Sequence, residues 1–337
     1  MRAAHYYGPG DVRIENVAEP SPNQGEVQVR VVANGLCGTD LHQYYSGPMS
    51  DAPLPIIVGH EFGGEIVAVG PGVNRSRIGE LVAVEPIWRC DACVPCRSGD
   101  YNLCQTGEWH GLTGKGGGLA ELTTVRSTMA HTVPDGISAM DAALVEPLSV
   151  AYHAVERGHA QAGDRAVVLG AGPIGIGAYL GLRADGVEDV VVVEPAPERR
   201  SAAAAVGAPE VVDPGDGGAV EAVMGLTGGL GASLVIDAAG TQASFTDALA
   251  MVSPAGRVVL VAAFAEPVEF NPMLVLQREV RIDMSFAYRG TFERVLTHMA
   301  AGRFPTAPWV SHVPFDSLID AYGTLHRREA VKVLVDI

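Results

Sequence analysis

The sequence is short of positive charge. Only 23 Lys and Arg stand against 39 Asp and Glu, a formal net charge of −16, which excludes a general electrostatic attraction to phosphate backbones or anionic membranes. Neither nucleic acid nor a membrane is therefore an expected partner, and the acidity serves solubility. No stretch approaches the roughly 18 uninterrupted apolar residues of a membrane span, and Met1-Arg2-Ala3-Ala4-His5-Tyr6-Tyr7 holds no apolar signal region. A cytoplasmic location is the expectation. Cysteine is scarce too: five, an odd number, all between Cys37 and Cys104. That is a poor disulfide framework and a better match to metal ligation in a reducing compartment. Internal repeats and long linkers are also missing.

What is present is length and apolar content. The 337 residues exceed the usual single domain of about 100–200, so two domains are expected. With 47% hydrophobic and 18% charged residues the composition is that of a compact globular protein, at the size of a metabolic enzyme. The first half carries short β-branched runs between turn formers, such as Val27 to Val32 and Glu65 to Val69, and reads as mostly antiparallel β structure. From about Pro147 strand-like runs alternate with Ala-rich helical stretches. The strands expected are Arg165 to Leu169, Val190 to Glu194, Leu234 to Asp237 and Arg257 to Val261, the pattern of a parallel sheet covered by helices. A further helix, Thr291 to Ala301, precedes a last strand, Val331 to Val335.

Between a predicted strand and a predicted helix lies Gly170-Ala171-Gly172-Pro173-Ile174-Gly175, a G-x-G-x-x-G turn. The first glycine permits a tight turn, the second lets the backbone approach a pyrophosphate and the third allows close helix packing, while the helix N-terminus attracts the phosphate charge. Glu194, 19 residues past Gly175, ends the next apolar strand, where an acid can bind the adenosine ribose hydroxyls. Its carboxylate favours NAD over NADP, because it would repel a 2′-phosphate. Arg199 and Arg200 pull the other way, or are solvated charges on the following helix. The plainer alternative is a glycine-rich turn beside a surface acid.

Cys90-x2-Cys93-x2-Cys96-x7-Cys104 puts four thiolates in one short lobe, enough for a closed, structural zinc site. Elsewhere Cys37, His60 and Glu61, each in a turn after an apolar segment, form with Glu146 a mixed S/N/O set that suits a catalytic zinc with an open position. Singly, Cys37 reads as a packed thiol and His60 as a satisfied core histidine.

At these residues the sequence resembles the zinc-containing medium-chain dehydrogenases over essentially its whole length. Cys37-Gly38-Thr39-Asp40-Leu41-His42, Gly59-His60-Glu61, the four-cysteine lobe and the dinucleotide turn come in that family's order. Gly111 to Glu121, Glu146 to Ala151 and Ser285 to Tyr288 look most like 2,3-butanediol dehydrogenases, then sorbitol and threonine dehydrogenases. The resemblance implies an α/β chain: a GroES-like β catalytic domain over residues 1–146 with a zinc lobe at about 88–106, a doubly wound Rossmann domain over 147–289, and a return to the catalytic domain over 290–337. It implies a catalytic zinc on Cys37, His60 and either Glu61 or Glu146, a proton relay from Thr39 through the cofactor ribose to His42, and Lys332 as a basic residue contacting the cofactor. It also implies one catalytic and one structural zinc per chain, NAD as cofactor, a small alcohol or ketone as substrate, and a homodimer or homotetramer.

The expected reaction is hydride transfer between NAD(H) and a secondary alcohol or ketone, in the form of a vicinal diol, hydroxyketone or polyol. Two other readings stay open: a zinc-free NADPH quinone or enone reductase, and a non-catalytic dinucleotide-binding protein. Tyr44, Tyr45, Trp88, Trp109, His110 and Phe286 are candidates for an aromatic, partly polar substrate pocket.

Overall fold

The structure, a computed structural model, describes residues 1–215 and 218–337. Two compact units emerge. The first comprises Met1–Glu146, Phe292–Ala300 and Val310–Ile337, the second Pro147–Thr291 and Ala301–Trp309.

In the first unit, strand Glu26–Gly35 alternates as the sequence does: Val27, Val29 and Val31 are buried while Gln28 and Arg30 face outward. It is the centre of a seven-stranded sheet ordered Ala130–Thr132, Leu81–Val84, Glu61–Val69, Glu26–Gly35, Lys332–Asp336, Val310–Pro314, with Leu122–Arg126 also pairing on Glu26–Gly35. Pairing is antiparallel except between Val310–Pro314 and Lys332–Asp336. The register sets Gly35 opposite Glu61 on one side and opposite Leu334 on the other. Chain segments remote in sequence thereby meet at one end of one strand.

The second unit is a six-stranded parallel sheet ordered Glu210–Val212, Asp189–Val193, Arg165–Leu169, Ala232–Asp237, Val252–Leu260, Arg281–Met284. In chain order that is 3-2-1-4-5-6, the doubly wound arrangement, which binds ligands at the carboxyl ends of the strands where the order reverses. Val191, Val167, Val235 and Val258 lie in register across four strands, each no more than 2% exposed, so the inner strands read as continuous apolar runs. Glu194 falls just beyond its strand, and two strands carry no clear apolar signal, Glu210–Val212 and Arg281–Met284. The helix expected from Thr291 spans Phe292–Ala300. No helix among the described residues is long and apolar enough to cross a membrane.

Candidate functional site

Cys37 caps the helix Gly38–Ser46, and Gly59, at φ +96, turns the chain into His60 and the strand Glu61–Val69. These two turns bring one ligand atom each of Cys37, His60 and Glu61 within 4.8 Å of one another. A soft sulfur, an imidazole and a carboxylate at that spacing fit a zinc ion with a position to spare. His60 and Glu61 are buried, and Cys37 is half-buried.

Asp40, on the first turn of the helix, holds this group from behind. Its Oδ2 accepts the Cys37 backbone N–H at 2.8 Å, and its Oδ1 faces His60 Nδ1 at 3.4 Å. Burial disfavours a charged imidazole, but Asp40 and the Cys37 sulfur outweigh it, so His60 titrates well above its ordinary value. A metal must displace that proton to bind. On the other side Lys332 Nζ donates to Glu61 Oε2 and, at 2.9 Å, to the Leu36 carbonyl, with both ionic side chains essentially inaccessible. Gly35 makes room for the pair, since a Cβ there would lie 2.3 Å from Glu61 Oε2 and 3.0 Å from Lys332 Cε.

In the lobe, one sulfur each of Cys90, Cys93, Cys96 and Cys104 lies within 4.8 Å of the others, and the Cys90–Cys96 and Cys93–Cys104 pairs are 3.9 Å apart. That is nearly twice a disulfide bond and close to the ~3.8 Å edge of a tetrahedron with metal–sulfur bonds of about 2.3 Å. Backbone N–H groups of Ala92 and Cys93 pull the Cys90 thiol down to about 6, whereas burial and neighbouring thiols push Cys96 up to about 12. The donor set fits a closed zinc site.

In the second unit Gly170 takes φ +92 at the end of its strand, and a Cβ on Gly175 would lie 1.8 Å from the Gly170 carbonyl. Gly172 caps the helix Pro173–Ala184, with Pro173 at its first position, where a missing N–H costs nothing, and Ile174 beside it. A Cβ on Gly172 would meet only Arg199 Nη1, at 3.7 Å, so this side of the turn is open to a ligand. Glu194 Oε2 accepts the Ala171 N–H at 2.7 Å and Oε1 the Ala196 N–H at 2.8 Å. The acid therefore braces the turn, with lone pairs remaining for a hydroxyl. Arg200 is committed to the Glu194 and Pro195 carbonyls and to Asp213.

Two family models match the chain: the alcohol dehydrogenase GroES-like domain over residues 23–135 and the zinc-binding dehydrogenase over residues 173–301. The (R,R)-butanediol dehydrogenase of Bacillus subtilis (strain 168) is 34% identical over 99% of both chains. The sorbitol dehydrogenase of the same organism is 32% identical over 90% of this chain and 86% of its own. The crystal structure of an alcohol dehydrogenase from Escherichia coli CFT073 complexed with NADH superposes with a TM-score of 0.92 at 30% identity, covering 100% of this chain and 99% of that one. The chain belongs to the zinc-dependent medium-chain alcohol dehydrogenases.

Against that family's pattern, the structure groups some expected residues and disperses others. Thr39 is half-buried and His42 exposed, three residues on along the same helix. Glu146 is buried in the first turn of Val145–Arg157 and is not among the residues whose ligand atoms converge with Cys37. Lys332 lies in the first unit, against Glu61. Of the aromatic candidates in the first unit, Tyr44 packs on Tyr45 and Tyr322, and Trp88 lies on His110; Phe286 belongs to the second unit and is 59% exposed. His110 is sealed off, accepting from Trp88 Nε1 at 3.2 Å and bonding Thr123 Oγ1 at 2.8 Å, and burial pulls it down to about 3. Sequence reasoning missed Asp40 as a partner of Cys37 and His60. Its place three residues after Cys37, at the third helical position, was the available clue.

Proposed function

We propose that this dehydrogenase uses NAD to oxidise a secondary alcohol within a vicinal diol or polyol, and reduces the corresponding hydroxyketone in reverse. The convergence of Cys37, His60 and Glu61 carries the reading, supported by full-length similarity to butanediol and sorbitol dehydrogenases. Zinc held there would supply Lewis acidity, which lowers the pKa of bound water from 15.7 to about 7 and acts comparably on an alcohol.

The chain's own groups do the rest. Asp40 lies against the His60 ring, and Thr39, at the start of the same helix, hands its own hydroxyl proton on toward exposed His42 as it accepts the alcohol's, and His42 exchanges with solvent. Lys332 neutralises Glu61 while that carboxylate is off the metal; either Glu61 or Glu146 completes the ligand set. Gly170, Gly172 and Gly175 admit the pyrophosphate, Glu194 takes the ribose hydroxyls, and Arg199 lies beside the turn. Residues 1–146 with the returning tail bear the chemistry, and 147–289 hold the dinucleotide. A zinc-free reductase would leave both thiolate groups without a role.

The working form is a homodimer or homotetramer in the reducing cytoplasm. Phe270, Met273, Leu274, Leu276, Met284 and Phe286 are all at least 45% exposed, and Arg281–Met284 is an edge strand of its sheet, an apolar unpaired edge suited to a second subunit.

The test is an NAD-linked assay over vicinal diols, polyols and simple secondary alcohols, with metal analysis. Turnover of diols or polyols at about two zinc ions per chain is expected. No turnover of any of them, or turnover undiminished after zinc removal, would refute the reading.

A further inference from the structure

Asp237 ends the strand Ala232–Asp237 and is fully buried, yet it belongs to neither the metal centre nor the glycine turn. Among the described residues its partners are dipoles rather than cations: Oδ1 accepts the Ala239 N–H at 2.9 Å and the Gly240 N–H at 3.1 Å, and Oδ2 accepts the Ser244 hydroxyl at 2.9 Å. Burial pushes its carboxyl up from the ordinary carboxylate value, and these three bonds pull the other way. An acid buried without a counter-charge is costly, and its bonds all fall on one short stretch, the loop Ala238–Gly240 and the first turn of the helix Gln242–Met251. That loop stands where the strand order of the sheet reverses, between Arg165–Leu169 and Ala232–Asp237, the place where a doubly wound sheet binds its ligand. It also touches the glycine turn. The Ala238 N–H donates to the Leu169 carbonyl at 2.9 Å, and a Cβ on Gly170 would lie 3.2 Å from Ala239 N.

The backbone groups of the loop divide by kind. All its N–H groups are committed: Ala238 to Leu169, Ala239 and Gly240 to Asp237, and Thr241 to Ser244 Oγ at 3.0 Å. The carbonyls of Ala238, Ala239 and Gly240 accept nothing among the described residues, and Ala239 is exposed with its two neighbours half-buried. A wall with acceptors to spare and no donors suits hydroxyl groups and repels phosphate. We propose that Asp237 is a positioning residue for the dinucleotide: by taking up the loop's N–H groups it fixes Ala238–Gly240 as the wall of the crevice on the side of the Gly170 turn away from Glu194. The strands ending in Glu194 and Asp237 flank Arg165–Leu169 on its two sides, so an adenosine half lying toward Glu194 sends the nicotinamide half toward the Asp237 loop. The inference rests on the dinucleotide reading above.

The test measures equilibrium binding of NADH and of 5′-AMP, which carries the adenosine half alone, to the wild-type holoenzyme, Asp237→Ala and Asp237→Asn. In Asp237→Ala, which frees the loop, NADH should bind about tenfold more weakly, roughly the worth of one hydrogen bond, while AMP stays within about twofold of the wild type. Asp237→Asn should restore NADH binding to within about twofold, because its amide oxygen can accept from Ala239 and Gly240 and its amide N–H2 can donate to Ser244 Oγ. Unchanged NADH binding in Asp237→Ala would overturn the proposal. Equal losses for NADH and AMP would also overturn it, since they would mark a residue that only supports the fold, as would an Asp237→Asn variant as weak as Asp237→Ala, which would put the effect in the charge. If Asp237→Ala does not fold, Asp237→Ser, with one short acceptor left, decides: NADH and AMP affinities in the wild-type ratio would overturn the pin. A wild-type chain that binds neither NADH nor AMP would refute the dinucleotide reading itself, whereas an enzyme inactive on every alcohol would leave these binding ratios to judge Asp237.

Discussion

Lys332 and Glu61 form a buried ion pair across 271 residues of sequence, with the ammonium also bonded to the Leu36 carbonyl. Such a pair is weak evidence of stability, but breaking it strands a charge away from water, typically at about 3–5 kcal/mol. Lys332→Met should therefore lower the thermal midpoint of zinc-depleted protein sharply. Added zinc should recover part of the loss, since an unpaired Glu61 is free to ligate. Melting curves with and without zinc check this, and equal losses in both would show that Glu61 does not reach the metal.

Cys37→Ser and His60→Ala should each cut kcat/KM for the alcohol by about 10³ or more, the equivalent of about 4 kcal/mol of transition-state stabilisation. The second unit keeps its own core and turn, so NADH binding, read by fluorescence, should stay within a few-fold of wild type. Near-normal turnover in a variant with one zinc per chain would sink the assignment.

Cys93→Ser or Cys104→Ser should act differently. A closed four-sulfur site contributes folding energy directly, so the zinc content should fall by about one per chain and the midpoint should drop. Unchanged zinc content would count against the lobe as a metal site.

Cofactor choice turns on Glu194. Because it accepts from the Ala171 N–H in addition to its proposed part at the ribose, Glu194→Ser should weaken NAD by roughly ten- to hundredfold and raise NADP use by less than charge removal alone would give. Glu194→Gln retains one acceptor and should lose less. Arg199→Ala in the Ser background should reverse part of any NADP gain. Values of kcat/KM with both cofactors decide, and a wild-type preference for NADP would show that Glu194 does not serve the ribose.

His110 makes the fold acid-sensitive. Its pKa is about 3 folded, against about 6.5 unfolded, so below pH 6.5 the unfolded chain gains a proton that the native state refuses. The contribution of His110 is complete above that pH and is lost by up to about 1.4 kcal/mol per unit toward pH 3. His110→Asn, which keeps a donor and an acceptor, should flatten the denaturation profile between pH 6 and 4. An unaltered slope would contradict a neutral buried imidazole.

Much of this was legible in the amino-acid order because the interactions concerned are local. Four cysteines within 15 positions, and a glycine turn between an apolar strand and a helix, meet through short-range chain geometry, whatever the rest of the chain does. Val167 and Val191 likewise declare inner strands, because a strand buried on both faces must be apolar throughout. Glu210–Val212 and Arg281–Met284 escape such reading: they lie at the sheet's two edges, where one-sided pairing asks for no apolar pattern.

The metal centre was legible only as a set of residue types. Its partners were settled by register, since Gly35 opposite Glu61 and Leu334 determines that Lys332 reaches that carboxylate. The sealing of His110 follows from packing in the same way. Motifs spell out chemistry that neighbouring residues can make by themselves; which distant charge is buried beside which depends on desolvation and steric room, and those exist only once the sheet has closed.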